Sequence, residues 1–205
     1  MNRTLLAIAI GLVLSASPLL AQSNRSEAVF AGGCFWCMEK PFDQMEGVIS
    51  TTSGYAGGHT VNPTYEEVTH GDTGHAEVVR VVYDPKRVSY EDLLYVYWRN
   101  VDPFDDGGQF CDRGASYRPE IFYNSPQQAN AARRSKAALG RSFSRTIEVD
   151  ITELDRFYSA EDYHQNYYAR NPIRYNFYRS ACGRDARLRE IWADEAGGES
   201  KRTSS

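Results

Sequence analysis

The chain has 205 residues, 41% of them hydrophobic and 13% aromatic, which is enough to bury one sizeable core and excludes a largely disordered protein. Its formal charge of −4, with both signs interspersed, excludes the basic stripe that a nucleic-acid or anionic-membrane binder carries.

In chain order, Arg3 precedes an apolar and glycine run from Leu5 to Leu14, followed by small residues and Pro18. The run is too short for a bilayer-spanning helix, which needs about 20 residues, and reads as a secretory signal peptide over 1–21, cleaved near Ala21. The expectation is therefore an exported, periplasmic protein with one catalytic domain over 22–196 and a disordered tail over 197–205.

Glu27 to Ala31 reads as a strand ending at Gly32-Gly33, and Cys34 to Met45 carries apolar residues at helical spacing. Cys34 is thus expected at a strand-to-helix turn, where free backbone N–H groups and the helix dipole favour a thiolate. Gly47 to Tyr55 reads as a second strand, 56–63 as a loop, and Thr64 to Thr69 as a short helix. Ala76 to Tyr83 is a valine-rich strand closed by Asp84-Pro85. Ser89 caps a helix with Glu91 and Asp92 in its first turn and Leu93, Leu94, Tyr97 and Trp98 on its core face. Asp102 to Pro119 is rich in Asp, Gly and Pro and reads as a functional loop. Beyond it come a strand over Glu120–Tyr123, a helix from Ser125-Pro126 to about Leu139, a strand over Arg145–Ile151, and helices near 160–170 and 185–192. Strands and helices interleave without a repeated glycine signature. The fold class expected is α+β, a two-layer α/β sandwich with helices packed on a mixed sheet.

Four cysteines, Cys34, Cys37, Cys111 and Cys182, in an exported chain allow either a disulfide framework or redox chemistry. Cys34-Phe35-Trp36-Cys37 is a Cys-x-x-Cys pair, the pattern of a thioredoxin-like disulfide oxidoreductase using Cys34 and Cys37. It has no second paired motif, so a zinc site is not expected. Glu77 sits between Ala76 and Val78 on an apolar strand, where its carboxyl is either an exposed strand-edge charge or, if desolvated, a group with a raised pKa.

Gly33-Cys34-Phe35-Trp36, Gly54-Tyr55-Ala56-Gly57-Gly58, Pro63-Thr64-Tyr65 and Gly71-Asp72-Thr73-Gly74-His75-Ala76-Glu77, in this order and spacing, resemble the signature blocks of peptide methionine sulfoxide reductase A. Asp102-Pro103, Asp112-Arg113-Gly114 with Ser116-Tyr117-Arg118, and Glu161-Asp162-Tyr163-His164-Gln165 extend the similarity over roughly residues 27 to 180. The resemblance implies a ferredoxin-like plait. It also implies that Cys34 attacks the sulfoxide sulfur of methionine S-sulfoxide, free or in proteins, and that Glu77 protonates the oxygen. Tyr65 and Tyr117 match phenols that hydrogen-bond that oxygen, Asp112 matches a residue that arranges the site, and Phe35 and Trp36 match the walls of the methyl pocket. No cofactor, metal or nucleic acid is implied, and a monomer is expected. Cys34 would pass through a sulfenic acid and a disulfide to a thioredoxin-like electron donor. For the resolving thiol the resemblance favours Cys182 on a mobile C-terminal segment, with Cys111 and Cys37 as alternatives. The chain departs from the family pattern at Cys37, where a small residue is usual, at Cys111, and at Ala115-Ser116, where Thr-Gln is commoner. His75 and His164 are read as structural hydrogen bonders rather than catalysts.

Overall fold

The computed structural model describes residues 25–199. Residues 1–24, which include the signal peptide expected over 1–21, and residues 200–205 lie outside the described residues. A six-stranded mixed sheet runs in the order β7-β6-β1-β3-β2-β8. Its strands are β1 (Ser26–Gly32), β2 (Val48–Ala56), β3 (Ala76–Tyr83), β6 (Pro119–Tyr123), β7 (Asp150–Glu153) and β8 (Phe157–Ser159). All neighbours are antiparallel except β6 and β7, which run parallel. The α+β class expected from the sequence is what the chain adopts.

The period-two alternation of strands sorts side chains onto two faces. On β1, Ala28 and Phe30 enter the main core, whereas Val29 and Ala31 join a smaller cluster with Ala56, Ala76, Val78 and Phe122. On β3, Val79, Val81 and Tyr83 face the main core. Glu77 has their parity, so its carboxyl is carried inward with the valines rather than out to water.

The main core is covered by helices α1 (Phe35–Asp43), α3 (Tyr90–Trp98) and α4 (Pro126–Phe143), and the short α2 (Tyr65–His70) precedes β3. Ser89 caps α3 in a reciprocal capping box with Asp92, and Thr64 does the same for α2 with Glu67. Ser125 caps α4, whose first residue is Pro126.

The Asp102–Pro119 loop is ordered by the buried Gln109. Its amide accepts from the Asp102 N–H at 2.8 Å and donates to the Asp102 and Gly108 carbonyls at 2.9 and 3.0 Å. The loop contains a two-stranded ribbon, β4 (Gly108–Gln109) with β5 (Asp112–Arg113), turned through Phe110 and Cys111, and a 3-10 turn at Ala115–Tyr117.

The chain ends in α5 (Tyr167–Arg170), α6 (Pro172–Ala181) and α7 (Arg184–Trp192). Three expectations are corrected here. The helix expected near 160–170 is only α5, and α6 follows it. The strand expected at Arg145–Ile151 is shifted to β7, because Glu148 N–H is taken by the Pro103 carbonyl at 2.7 Å and not by the sheet. Gly197 and Gly198, expected in a disordered tail, are instead held against the domain, since Gly197 N–H donates to the Arg99 carbonyl at 2.9 Å and Gly198 is buried. Among the described residues no helix is long and apolar enough to cross a membrane.

Candidate active site

β1 ends at Gly32, and the chain turns into α1 through Gly33 at φ +78, where a side chain would also strike Gln109 Cβ at 2.6 Å. Only glycine suits both demands. The turn delivers Cys34 to the N-cap of α1 with 6% of its surface exposed.

The first-turn amide of this helix serves the acid, not the thiol. Phe35 N–H donates to Glu77 Oε2 at 3.0 Å. Glu77 is 2% exposed, and burial pushes its pKa up from 4.5 to about 8 against the lowering effect of that hydrogen bond. At neutral pH it therefore holds a proton. Cys34 is also raised, first by burial and then by its hydrogen bond to the Cys37 thiol and by the nearby Glu77 and Asp112 carboxyls. The lowered thiol expected from the helix dipole is not what the resting site holds, because desolvation outweighs a dipole whose nearest N–H is already engaged.

Cys37 lies one turn on, and only 1% of its surface is exposed. Its pKa is lowered first by the hydrogen bond from Cys34 and then by the Arg184 and Arg179 guanidinium groups. Pro41 explains part of this placement. It lacks the N–H that would bond the Cys37 carbonyl within the helix, and Arg179 Nη1 approaches that carbonyl at 3.5 Å instead.

Cys34, Phe35, Trp36, Tyr65, Glu77, Asp112, Tyr117 and Tyr178 line one cavity of about 80 Å³. Every catalytic and substrate-wall residue expected from the sequence is among them. Larger clefts of about 510 Å³ exist elsewhere, but none contains a nucleophile beside a protonated acid. Sites for drug-sized molecules run to about 300–1,000 Å³, so this cavity admits only the tip of a side chain. Tyr65 and Tyr117 hydrogen-bond through their hydroxyls. Burial and the nearby Glu77 raise both phenols, Tyr65 to about 12, so each stays a hydrogen-bond donor.

One wall residue, Tyr178, was not assigned a role from the sequence, and His164, read there as a structural hydrogen bonder, packs behind the wall. Tyr178, on α6, donates from its hydroxyl to Asp112 Oδ2. His164 accepts from Trp36 Nε1 at 3.1 Å and packs against Phe35 and Tyr65 with ring centroids 4.9 and 4.4 Å apart. Its pKa is lowered to about 4 by burial, so it is a neutral ring that orients the Trp36 indole. Tyr167 stacks on the other side of that indole at 3.8 Å. His75 is structural as expected, bonded to Gly58 N–H and the Thr60 carbonyl.

The remaining cysteines do not stand as expected. Cys111 and Cys182 form a disulfide, with Cα atoms 4.9 Å apart across 71 residues, whereas Cys34 and Cys37 are free. Cys182 caps the end of α6, and the chain that follows it is anchored rather than a free tail. After Gly183 at φ +70, Arg184 is 1% exposed, and its Nη2 donates to the Gly32 and Asn100 carbonyls at 2.8 and 2.7 Å. Leu188 and Trp192 of α7 are buried behind it.

A family model described as peptide methionine sulfoxide reductase matches residues 26–196. A relative from Caulobacter vibrioides, peptide methionine sulfoxide reductase MsrA 2, is 49% identical over 92% of this chain and 96% of its own. MsrA of Bacillus licheniformis is 52% identical over 82% of this chain and 94% of its own. Among solved structures, methionine sulfoxide reductase A of Corynebacterium diphtheriae aligns at TM-score 0.68 and 34% identity, covering 75% of this chain and 78% of that one. Reduced Mxr1 from Saccharomyces cerevisiae aligns at 0.70 and 29%, covering 74% and 88%. Matched by the family model over residues 26–196 and by relatives at about 50% identity along most of its length, the chain belongs to the peptide methionine sulfoxide reductase family and is an oxidoreductase of the MsrA type.

Proposed function

We propose that this protein reduces the S epimer of methionine sulfoxide, peptide-bound or free, with Cys34 as nucleophile and Glu77 as acid. The observation that carries the reading is the Glu77 carboxyl, buried and protonated, bonded to the N–H next to Cys34 in the same cavity. A sulfoxide oxygen is a poor leaving group until it gains a proton. Glu77 supplies that proton while the Cys34 sulfur bonds to the substrate sulfur. Tyr65 and Tyr117 offer hydrogen bonds to the oxygen, and Asp112 with Tyr178 fixes the far wall. Phe35 and Trp36 form an apolar wall for the methyl group. Donors on one side and aromatic rings on the other suit one hand at sulfur, and the S hand is the one the resemblance implies.

The oxygen passes to Cys34 as methionine leaves, giving a sulfenic acid that a second thiol converts to a disulfide. A thioredoxin-like dithiol then restores the thiols. The strand order β6-β1-β3-β2 with α1 and α3 between strands supports a ferredoxin-like plait, and the sequence supports an exported monomer released by cleavage near Ala21. A thioredoxin-like oxidoreductase using Cys34 and Cys37 is disfavoured by burial, because a protein disulfide has no access to thiols 6% and 1% exposed.

The test is an incubation of purified protein and dithiothreitol with the separated epimers of methionine sulfoxide. Loss of the S epimer alone is expected. Loss of the R epimer alone, or of neither, overturns the reading.

A further inference from the structure

Trp36, Glu39 and Asp43 recur at three and four residues along α1, so they share one face of that helix. Residues 166–168 lie against this face. The Tyr167 ring stacks on the Trp36 indole at 3.8 Å with 8° between the planes, and the Tyr168 hydroxyl donates to Asp43 Oδ2 at 2.9 Å. Between these two contacts lies Glu39, whose surface is 0% exposed and which has no part in the chemistry proposed above. Asn166 has a left-handed backbone at φ +54, which turns successive N–H groups to one side, and its N–H and that of Tyr167 face the Glu39 carboxyl. Neither Glu39 oxygen makes a full hydrogen bond in the structure, so ionisation can tighten the contact.

Resting on the activity proposed above, we propose that Glu39 is a positioning residue for the substrate: its carboxylate draws in the Asn166 and Tyr167 N–H groups, holds the Tyr167 ring against Trp36, and so fixes the wall that receives the methyl group. The indole is secured at two points. Its nitrogen is tied directly to His164, whereas the stacking on its face depends on where residues 166 and 167 sit. That second hold depends on charge. Burial raises the Glu39 pKa from 4.5 to about 7 and Asp43 adds to the rise, against the lowering effect of the Asn166 and Tyr167 N–H groups and the Thr51 hydroxyl. Asp43 is itself bonded by Thr51 of β2 at 2.7 Å, and the Tyr168 phenol also faces Glu39. Below about 7 Glu39 is neutral and attracts the two N–H groups weakly; above it the carboxylate makes charge-assisted bonds to them. Substrate binding therefore tightens as pH rises through about 7, whereas the proton transfer from Glu77 slows as pH rises through about 8.

The test is single-turnover release of methionine from methionine S-sulfoxide, measured with reduced protein on both sides of neutrality. The half-saturating concentration is expected to fall about fivefold, the worth of roughly one hydrogen bond, as pH rises through about 7. In Glu39→Gln it should stay at the low-pH value throughout, while the maximal first-step rate keeps its fall near 8 from Glu77. Tyr167→Ala should raise it likewise, and adding Glu39→Gln to that variant should raise it no further, because the carboxyl acts through that ring. In substrate-free protein the Trp36 fluorescence, taken as the difference from Trp36→Phe, should titrate near 7 and lose that component in Glu39→Gln. A half-saturating concentration indifferent to pH in the unmodified protein overturns the inference. So does a dependence that survives in Glu39→Gln, a drop in maximal rate without a change in half-saturation, or independent effects of the two substitutions. The unmodified protein decides the question even where Glu39→Gln does not fold. Failure of the unmodified protein to release methionine strikes the proposed activity instead, and the fluorescence titration, which needs no turnover, still decides the role of Glu39.

Discussion

The two cysteine pairs occupy contrasting surroundings. Cys34 and Cys37 sit three residues apart on one regular element, sealed from solvent, and their positions follow from β1, a glycine turn and α1. Cys111 and Cys182 are 71 residues apart, on a loop turn and a helix end, and meet only because the whole domain closes around them. The buried pair lies at and beside a cavity that fits a side-chain tip, whereas the outer pair is reached from solvent at Cys111.

The contrast breaks most sharply at Cys34. Cys34→Ser is expected to give no methionine in a single turnover, measured by chromatography, because a hydroxyl cannot pass through the sulfenic acid. Glu77→Gln should slow the first chemical step by about 10²- to 10⁴-fold in stopped-flow or quench assays. The pH dependence follows from the same group. Its protonated form is the working form and its pKa is raised to about 8, so the first-step rate should hold below that value and fall as pH rises through it. That limb should vanish in Glu77→Gln; a limb that survives assigns the proton to another group.

Arg184→Met touches both pairs at once, since the guanidinium neighbours Cys37 and anchors the chain just after Cys182. Leaving the Gly32 and Asn100 carbonyls unpaired should cost about 2–4 kcal/mol in urea denaturation. An unchanged midpoint would show that water replaces the guanidinium. Tyr65→Phe removes one of the two hydrogen bonds proposed for the sulfoxide oxygen and leaves that of Tyr117, so a loss of about tenfold in kcat/KM is expected. A loss as large as that of Glu77→Gln would make Tyr65 the proton donor.

The parts of this arrangement legible in the sequence are those set by local period and caps. The valines of β3 fixed the parity that turns Glu77 inward, Gly32-Gly33 marked the turn before Cys34, and Ser89 and Ser125 marked helix starts. What was not legible depends on tertiary partners. α6 has no apolar stripe, for Tyr175 alone is buried while Ile173 and Phe177 are 85% and 77% exposed. β8 is a three-residue edge strand. No spacing rule announces a disulfide across 71 residues, and the sign of the Cys34 shift depends on burial that a local motif does not disclose. Tyr178 had no sequence signal for its role, because the helix that carries it had none.

The small size of the cavity has a consequence for proteins undergoing repair. A space of about 80 Å³ accepts one oxidised side-chain tip and leaves no room for the strand or helix that bears it. A methionine sulfoxide packed inside a folded client must first emerge through a local opening of that client, and such openings range in free energy from near zero at frayed ends to the full unfolding cost in a core. Where opening and closing are fast beside the enzyme's turnover, the apparent repair rate scales with the open fraction. Residues repaired at very different speeds within one damaged protein then map that protein's own fluctuations.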